Sequence, residues 1–174
     1  MTRFRIVPDR SRVWIDGRSS LHPIHSSTNC LEGYIELEVD TEGTISVDGS
    51  PQGHLSLTVT QLSSGNSLED RELQKRIDAG RYPTIDGELA EMKPAGQDGT
   101  FRVSGEVTFR GVARRHEDQL TVSALDASTI RLEGASRFDV RDFGMDPPRI
   151  LMLRVEPEVD VRVEIVAVKE DVNA

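Results

Sequence analysis

The sequence predicts an all-β protein, a sandwich or barrel of antiparallel strands interrupted by one helix. Three observations carry this. Apolar residues alternate with polar ones through most of the chain, the mark of strands with one wet face. Turn signals, Asp48-Gly49, Asp98-Gly99 and several lone glycines, separate these segments. One segment alone, residues 67–83, is dense in helix formers. Many short alternating strands at regular spacing make a sandwich or a barrel.

Taken in order, Val13 and Ile15 open the alternation, and Ile35, Leu37 and Val39 continue it in GYIELEVD. Leu55, Leu57 and Val59 follow in GHLSLTVT. In SLEDRELQKRIDAGRYP, Ser67 with Asp70 three residues later resembles a capping box. Leu73 and Ile77 are four apart and share a helix face, and Gly80 and Pro83 stop the helix. Alternation returns at Phe101, Val103, Val107 and Phe109, then at Leu120 and Val122, then at Ile130 and Leu132. It closes with Val159, Val161, Val163 and Ile165. Gly87 and Gly105 are the expected positions for a bulge that shifts the register. The tail KEDVNA reads as frayed.

At 174 residues the chain suits a single domain over residues 1–174. Hydrophobic content of 36% and charged content of 29% are ordinary for a globular protein. The net charge of −9 argues against nucleic acid, which needs a clustered excess of Lys and Arg. Cys30 is the only cysteine and has no internal partner, so a reducing compartment is permitted. The first twenty residues are charged throughout and lack an apolar h-region, and no later stretch approaches a membrane-spanning length. A cytoplasmic protein is expected.

No nucleophile elbow, P-loop or dinucleotide fingerprint is present. His22 and His25 flank Pro23-Ile24, but Pro23 bars a regular helix and a third ligand is missing, so a surface loop explains the pair better than a metal. Neither a metal nor a cofactor is expected. Glu36, Glu38 and Asp40 fall on the opposite parity to Ile35, Leu37 and Val39, as Asp160, Arg162 and Glu164 do to their apolar neighbours. That is how a solvated strand face reads. Arg110, Arg114 and Arg115 form a basic cluster in TFRGVARRHED. It reads as a charged hairpin loop or as a contact for an anionic head group, since guanidinium forks match phosphate and carboxylate.

The stretch RFDVRDFGMDPPRILML, residues 137–153, breaks its own alternation. Phe143 and Met145 fall in a loop around Gly144 and must fold back onto an end of the molecule or line the way in. Leu151, Leu153 and Val155 share parity with the closing strand and are assigned to the inward face. Ile150 and Met152 then point outward, to water or to another chain, and a subunit interface would suit them.

These pieces together resemble the YceI-like family of lipocalin-like polyisoprenoid-binding proteins. The resemblance covers nearly the whole chain: IVPDRSRVWIDGRSS, LEGYIELEVD, SGNSLEDRELQKRIDAGRYPTIDGEL, FRVSGEVTFRGVARRHEDQL, FDVRDFGMDPP and EVDVRVEIVAV, in that order. It implies a lipocalin-like antiparallel β-barrel of about eight strands with one helix covering an end. It also implies a long apolar cavity for an isoprenoid or other amphipathic lipid, and common dimerisation. Aromatics are only 5%, with Trp14 the one tryptophan, so a cavity that is narrower or lined mainly by aliphatics is expected.

The function expected is non-catalytic binding or carriage of an amphipathic lipid. Leu55, Leu57, Val103, Val107, Phe109, Leu151 and Leu153 would clasp the tail, and Phe143 and Met145 would gate the mouth. Arg110 and Arg114 would meet the head group at the rim, and a homodimer would form through Ile150 and Met152. The alternative is a packed barrel acting as a structural or interaction module without a ligand. An enzyme would need polar residues aimed into the barrel, such as Asp142, His116 or Tyr82.

Overall fold

The computed structural model describes residues 1–147, 149–150 and 152–171. Its strands are β1 (Thr2–Ile6), β2 (Arg12–Arg18), β3 (Pro23–Thr28), β4 (Leu31–Val39), β5 (Ile45–Ser46), β6 (Gln52–Thr58), β7 (Thr84–Pro94), β8 (Thr100–Phe109), β9 (Val112–Asp126), β10 (Thr129–Asp139), β11 (Arg149–Ile150), β12 (Leu153–Arg154) and β13 (Glu158–Lys169), with helix α1 (Ser67–Ile77) between β6 and β7. Eight of the strands close an antiparallel ring in the order β1, β4, β6, β7, β8, β9, β10, β13 and back to β1. The sequence-expected antiparallel barrel is therefore what forms, and closure leaves it no free sheet edge around the ring.

Strand β13 carries two partners along one edge. Its C-terminal end pairs with β1, Ile6 opposite Ala167, and its N-terminal half pairs with β2, Val13 opposite Val163. β1 and β2 thus form one long stave, broken by a 3₁₀ turn at Pro8–Arg10. Pro8 has no N–H to give a ladder. Ser11 fills the break: its buried hydroxyl accepts from the Val166 N–H at 3.0 Å and donates to the Val7 carbonyl at 2.8 Å. β3 and β4 make the neighbouring stave in the same way, β3 on β2 and β4 on β1.

Alternation sets the two faces. Phe4, Leu37, Phe101, Val122 and Ile130 are all buried and pack the end of the barrel nearest the chain termini, here called the upper end. The opposite parity is wet and ion-paired, as with Arg3 Nε on Glu36 at 2.8 Å and Arg137 Nε on Asp160 at 2.9 Å. The Arg162 guanidinium lies 4.1 Å from the centre of the Trp14 ring. Such exposed pairs add little stability each.

Two close backbone approaches let the wall bend. A Cβ at Gly33 would collide with the carbonyl of His54, and one at Gly105 with the carbonyl of Glu88, so only glycine fits either place. Of the two positions where a bulge is expected, the register holds at Gly87 and shifts at Gly105, which pairs with Leu89 at the edge of the slip. It slips between Leu89 and Glu91 in β7 and at Thr129/Ile130 in β10. The β7 slip changes parity, so Met92 rather than an odd-numbered residue is buried above it.

Helix α1 crosses the lower end. Its N-cap is Asn66, not the expected Ser67: the Asn66 side chain accepts from the Leu68 and Glu69 N–H groups. Asp70 instead accepts from Ser64, N–H at 3.0 Å and hydroxyl at 2.6 Å. The helix ends at Asp78 in the left-handed region (φ 61°), before Gly80 is reached. Leu73 and Ile77 do share a face, and it packs into a second apolar cluster with Val59, Ala79, Phe109, Phe143 and Met145. Among the described residues, no helix is long and apolar enough to cross a membrane.

Candidate functional site

Inside the lower half of the barrel lies a cavity of about 430 Å³, within the range of roughly 300–1,000 Å³ usual for small-molecule sites. A smaller cavity of about 230 Å³ adjoins it above. The two share Leu55, Gly87, Val103, Val107, His116, Asp118 and Leu120 as lining. Leu57, Phe109, Phe143 and Met145 line the lower cavity only. The structure thus brings seven of the expected site residues to one lumen: Leu55, Leu57, Val103, Val107, Phe109, Phe143 and Met145.

Their positions follow from local sequence. Leu55, Leu57, Val103, Val107 and Phe109 are the inward parity of β6 and β8. Phe143 and Met145 arrive differently. β10 ends at Asp139, whose carboxylate accepts from the Arg141 N–H at 2.9 Å and caps a 3₁₀ turn over Val140–Phe143. Gly144 then takes φ 72°, which a glycine adopts without strain. That bend returns Phe143 and Met145 onto the barrel end, both 5% exposed. Phe143 meets Phe109 edge to face at 5.7 Å between ring centres.

The other expected site residues lie elsewhere. Arg110 occupies the tip of the β8–β9 hairpin at φ 53° and donates from Nη1 to the Gly144 carbonyl at 3.0 Å. Arg114 donates from Nε to the Asp142 carbonyl at 2.9 Å. Neither lines a cavity. Both arginines are committed to the loop that carries Phe143 and Met145, because its carbonyls have no ladder to bond. Leu153 sits in β12, paired with β11 outside the barrel wall, and lines neither cavity. Val155, on the same parity, is buried and lines the lower cavity together with Val159, Val161 and Val163, so the expected inward face holds from Val155 onward and fails at Leu153. Leu151 and the side chain of Ile150 lie outside the described residues. Met152 is 96% exposed at the hairpin tip.

His116 does point inward, and with it come two residues that sequence reasoning passed over, Asp118 and Ser136. His116 Nε2 stands 2.5 Å from Ser136 Oγ and 3.4 Å from Asp118 Oδ2, and its ring stacks on Phe138 at 4.3 Å. Parity contained the signal. His116 and Asp118 share the even positions of Leu120 and Val122, and Ser136 those of Ile130 and Leu132. Of the other candidates, Asp142 is exposed and Tyr82 packs beside Gly111. His25 pairs with Asp16 at 2.7 Å, and His22 faces Glu69 at 3.7 Å.

A closed antiparallel barrel with an apolar lumen, one capping helix and an Asp-Phe-Gly-Met turn is now in place. A family model described as the YceI-like domain matches residues 4–167. The chain belongs to the YceI-like family. Solved structures of similar fold include BcnA of Burkholderia cenocepacia, 17% identical over 93% of this chain and 99% of that one, with a TM-score of 0.77. A polyisoprenoid binding domain from Saccharophagus degradans is 13% identical over 98% and 100%, with a TM-score of 0.79. A Campylobacter jejuni YceI protein is 13% identical over 80% and 82%, with a TM-score of 0.62. No curated protein matches. At these identities the likeness speaks for the fold. What a YceI-like barrel of this sequence can hold rests on its own lumen.

Proposed function

We propose that this protein is a non-catalytic carrier that holds one isoprenoid or other amphipathic lipid in its barrel. The observation that carries the reading is the lower cavity of about 430 Å³, walled by Leu57, Val107, Phe109, Phe143 and their apolar neighbours. Each CH₂ moved there from water contributes about 0.8 kcal/mol, less what ordering a flexible tail costs. The solved polyisoprenoid binding domain of the same fold supports an isoprenoid as the tail. Phe143 and Met145, on a turn rather than a strand, are the residues that would part to admit it. The reading places this carriage in the cytoplasm, where a lone Cys30 stays reduced.

The test is direct. The purified protein is denatured and its organic extract analysed by mass spectrometry. A stoichiometric amphipathic lipid is the expected result. An empty extract, again after offering prenyl lipids and fatty acids, would sink the carrier reading.

A second reading has its own observation. Met152 is 96% exposed, and Leu21 at the β2–β3 tip is 80% exposed. The two loops are joined, the Ser20 N–H donating to the Arg154 carbonyl at 2.9 Å. Exposed apolar side chains on adjoining loops suit a subunit contact. A Met152→Glu variant that leaves the sedimentation coefficient unchanged at all concentrations would rule out a homodimer through this tip.

A further inference from the structure

We propose that the lumen takes a neutral, hydroxyl-bearing head group at a polar station formed by His116, Asp118 and Ser136, and rejects an anionic one. This rests on the carrier reading above and deepens it by naming the class of head group.

The station is inside. His116 and Asp118 line both cavities, so they stand at the neck between them, and Ser136 lines the lower one. The His116 and Asp118 side chains are each 29% exposed, and the lumen is the space they border. Polar groups in an apolar tube are costly unless something bonds them. Part of that need is met internally: Nε2 of His116 stands 2.5 Å from Ser136 Oγ and 3.4 Å from Asp118 Oδ2. In the tautomer that serves Asp118, whose carboxylate only accepts, the proton is on Nε2. Nδ1 is then an acceptor, and among the described residues it has no protein partner. A ligand O–H is the group that fits it. Stacking on Phe138 at 4.3 Å and 29° holds the ring in this orientation.

Charge selects against the alternative. Among the described residues, no Lys or Arg lines either cavity, whereas Asp118 faces the neck. Arg110 and Arg114 are bound to the Gly144 and Asp142 carbonyls, and Arg115 to the Ser104 hydroxyl at 3.2 Å. A phosphate or carboxylate drawn into this lumen would lose its water, meet no cation and approach a carboxylate. A head group carrying a hydroxyl loses little water and gains the Nδ1 bond.

The test compares three probes of one tail length: a C20 prenyl alcohol, its monophosphate and the C20 hydrocarbon, each displacing a fluorescent fatty alcohol. Wild type should bind the alcohol about tenfold or more tighter than the phosphate, and about fivefold tighter than the hydrocarbon, the yield of one neutral hydrogen bond. Asp118→Asn should narrow the alcohol-to-phosphate ratio. His116→Phe should bring the alcohol down to the hydrocarbon without weakening the hydrocarbon. Phosphate binding as tight as alcohol in wild type, or alcohol no tighter than hydrocarbon, would overturn the station while leaving the carrier intact. Binding of none of the three would overturn both.

Discussion

Arg110 Nη1 donates to the carbonyl of Gly144 at 3.0 Å, joining the β8–β9 hairpin tip to the turn that carries Phe143 and Met145. Arg114 makes the parallel contact to Asp142 at 2.9 Å. The clasp therefore works on the lid of the lumen rather than on a ligand. Arg110→Ala should cost about 1 kcal/mol, typical for one such bond, and should speed release of bound lipid more than it slows uptake. Stopped-flow displacement of a fluorescent lipid measures both rates. An unchanged release rate would remove the arginines from any role in closure.

Phe143 is the anchor of that lid. Its ring stands against Phe109 at 5.7 Å and Phe138 at 6.4 Å, within the cluster that includes Ile77 of α1. Truncation to alanine should destabilise by about 3 kcal/mol or more, because the site is buried and the turn can collapse only partly. Urea unfolding gives the number. A cost below about 1 kcal/mol would mean that the turn is not packed as described.

Much of this arrangement was legible in the sequence, for a physical reason. Strand faces are set by a period of two, so Leu55, Leu57, Val103, Val107 and Phe109 could be assigned inward from alternation alone. The break after Asp139 could be seen too, since Phe143 and Met145 left the parity of Phe138. Three kinds of fact were not legible. Which carbonyl Arg110 serves depends on two segments distant in sequence. The slip between Leu89 and Glu91 lies opposite Gly105, as expected, but which of the two strands takes the extra residue has no signature in composition. Charge points a residue outward and parity points it inward, and at Asp118, on the parity of Leu120, parity wins. Leu153 failed because it belongs to the separate β11–β12 hairpin, whereas Val155, two residues on and of the same parity, does line the lumen.

Acid should weaken the cap of the turn that forms the lid. The Arg141 guanidinium and the Arg141 N–H both bond the Asp139 carboxylate, and the side-chain bond is the larger cause of holding its pKa below the usual value. A group depressed in the folded state stabilises fully above its unfolded pKa, about 3.9 for Asp, and loses that contribution as pH falls through the folded value. Stability should therefore drop below about pH 4, more at low salt than high, because the pair is exposed. Asp139→Asn should flatten that drop while leaving the pH 7 fold intact. Thermal unfolding followed between pH 5 and pH 2 decides it, and an Asp139→Asn profile parallel to wild type would assign the acid sensitivity elsewhere.

Gly87 offers the cleanest way to separate holding a lipid from being folded. It lines both cavities, and a Cβ built on it meets no atom within 4 Å. The backbone there is ordinary strand, paired with Leu55 on one side and Val107 on the other. Gly87→Leu should therefore place its side chain in open lumen and remove about 0.5–1 kcal/mol of the entropic penalty that glycine brings to a strand. The variant should melt at the wild-type temperature or slightly above it, yet bind C20 lipid at least about tenfold more weakly, since a tail can no longer pass the neck. Gly105→Leu is the contrast: its Cβ meets the Glu88 carbonyl, so it should fail to fold. Calorimetric melting beside a lipid titration reads both quantities on one sample. Full binding by a well-folded Gly87→Leu protein would show that the tail lies elsewhere, and the lumen reading would fall.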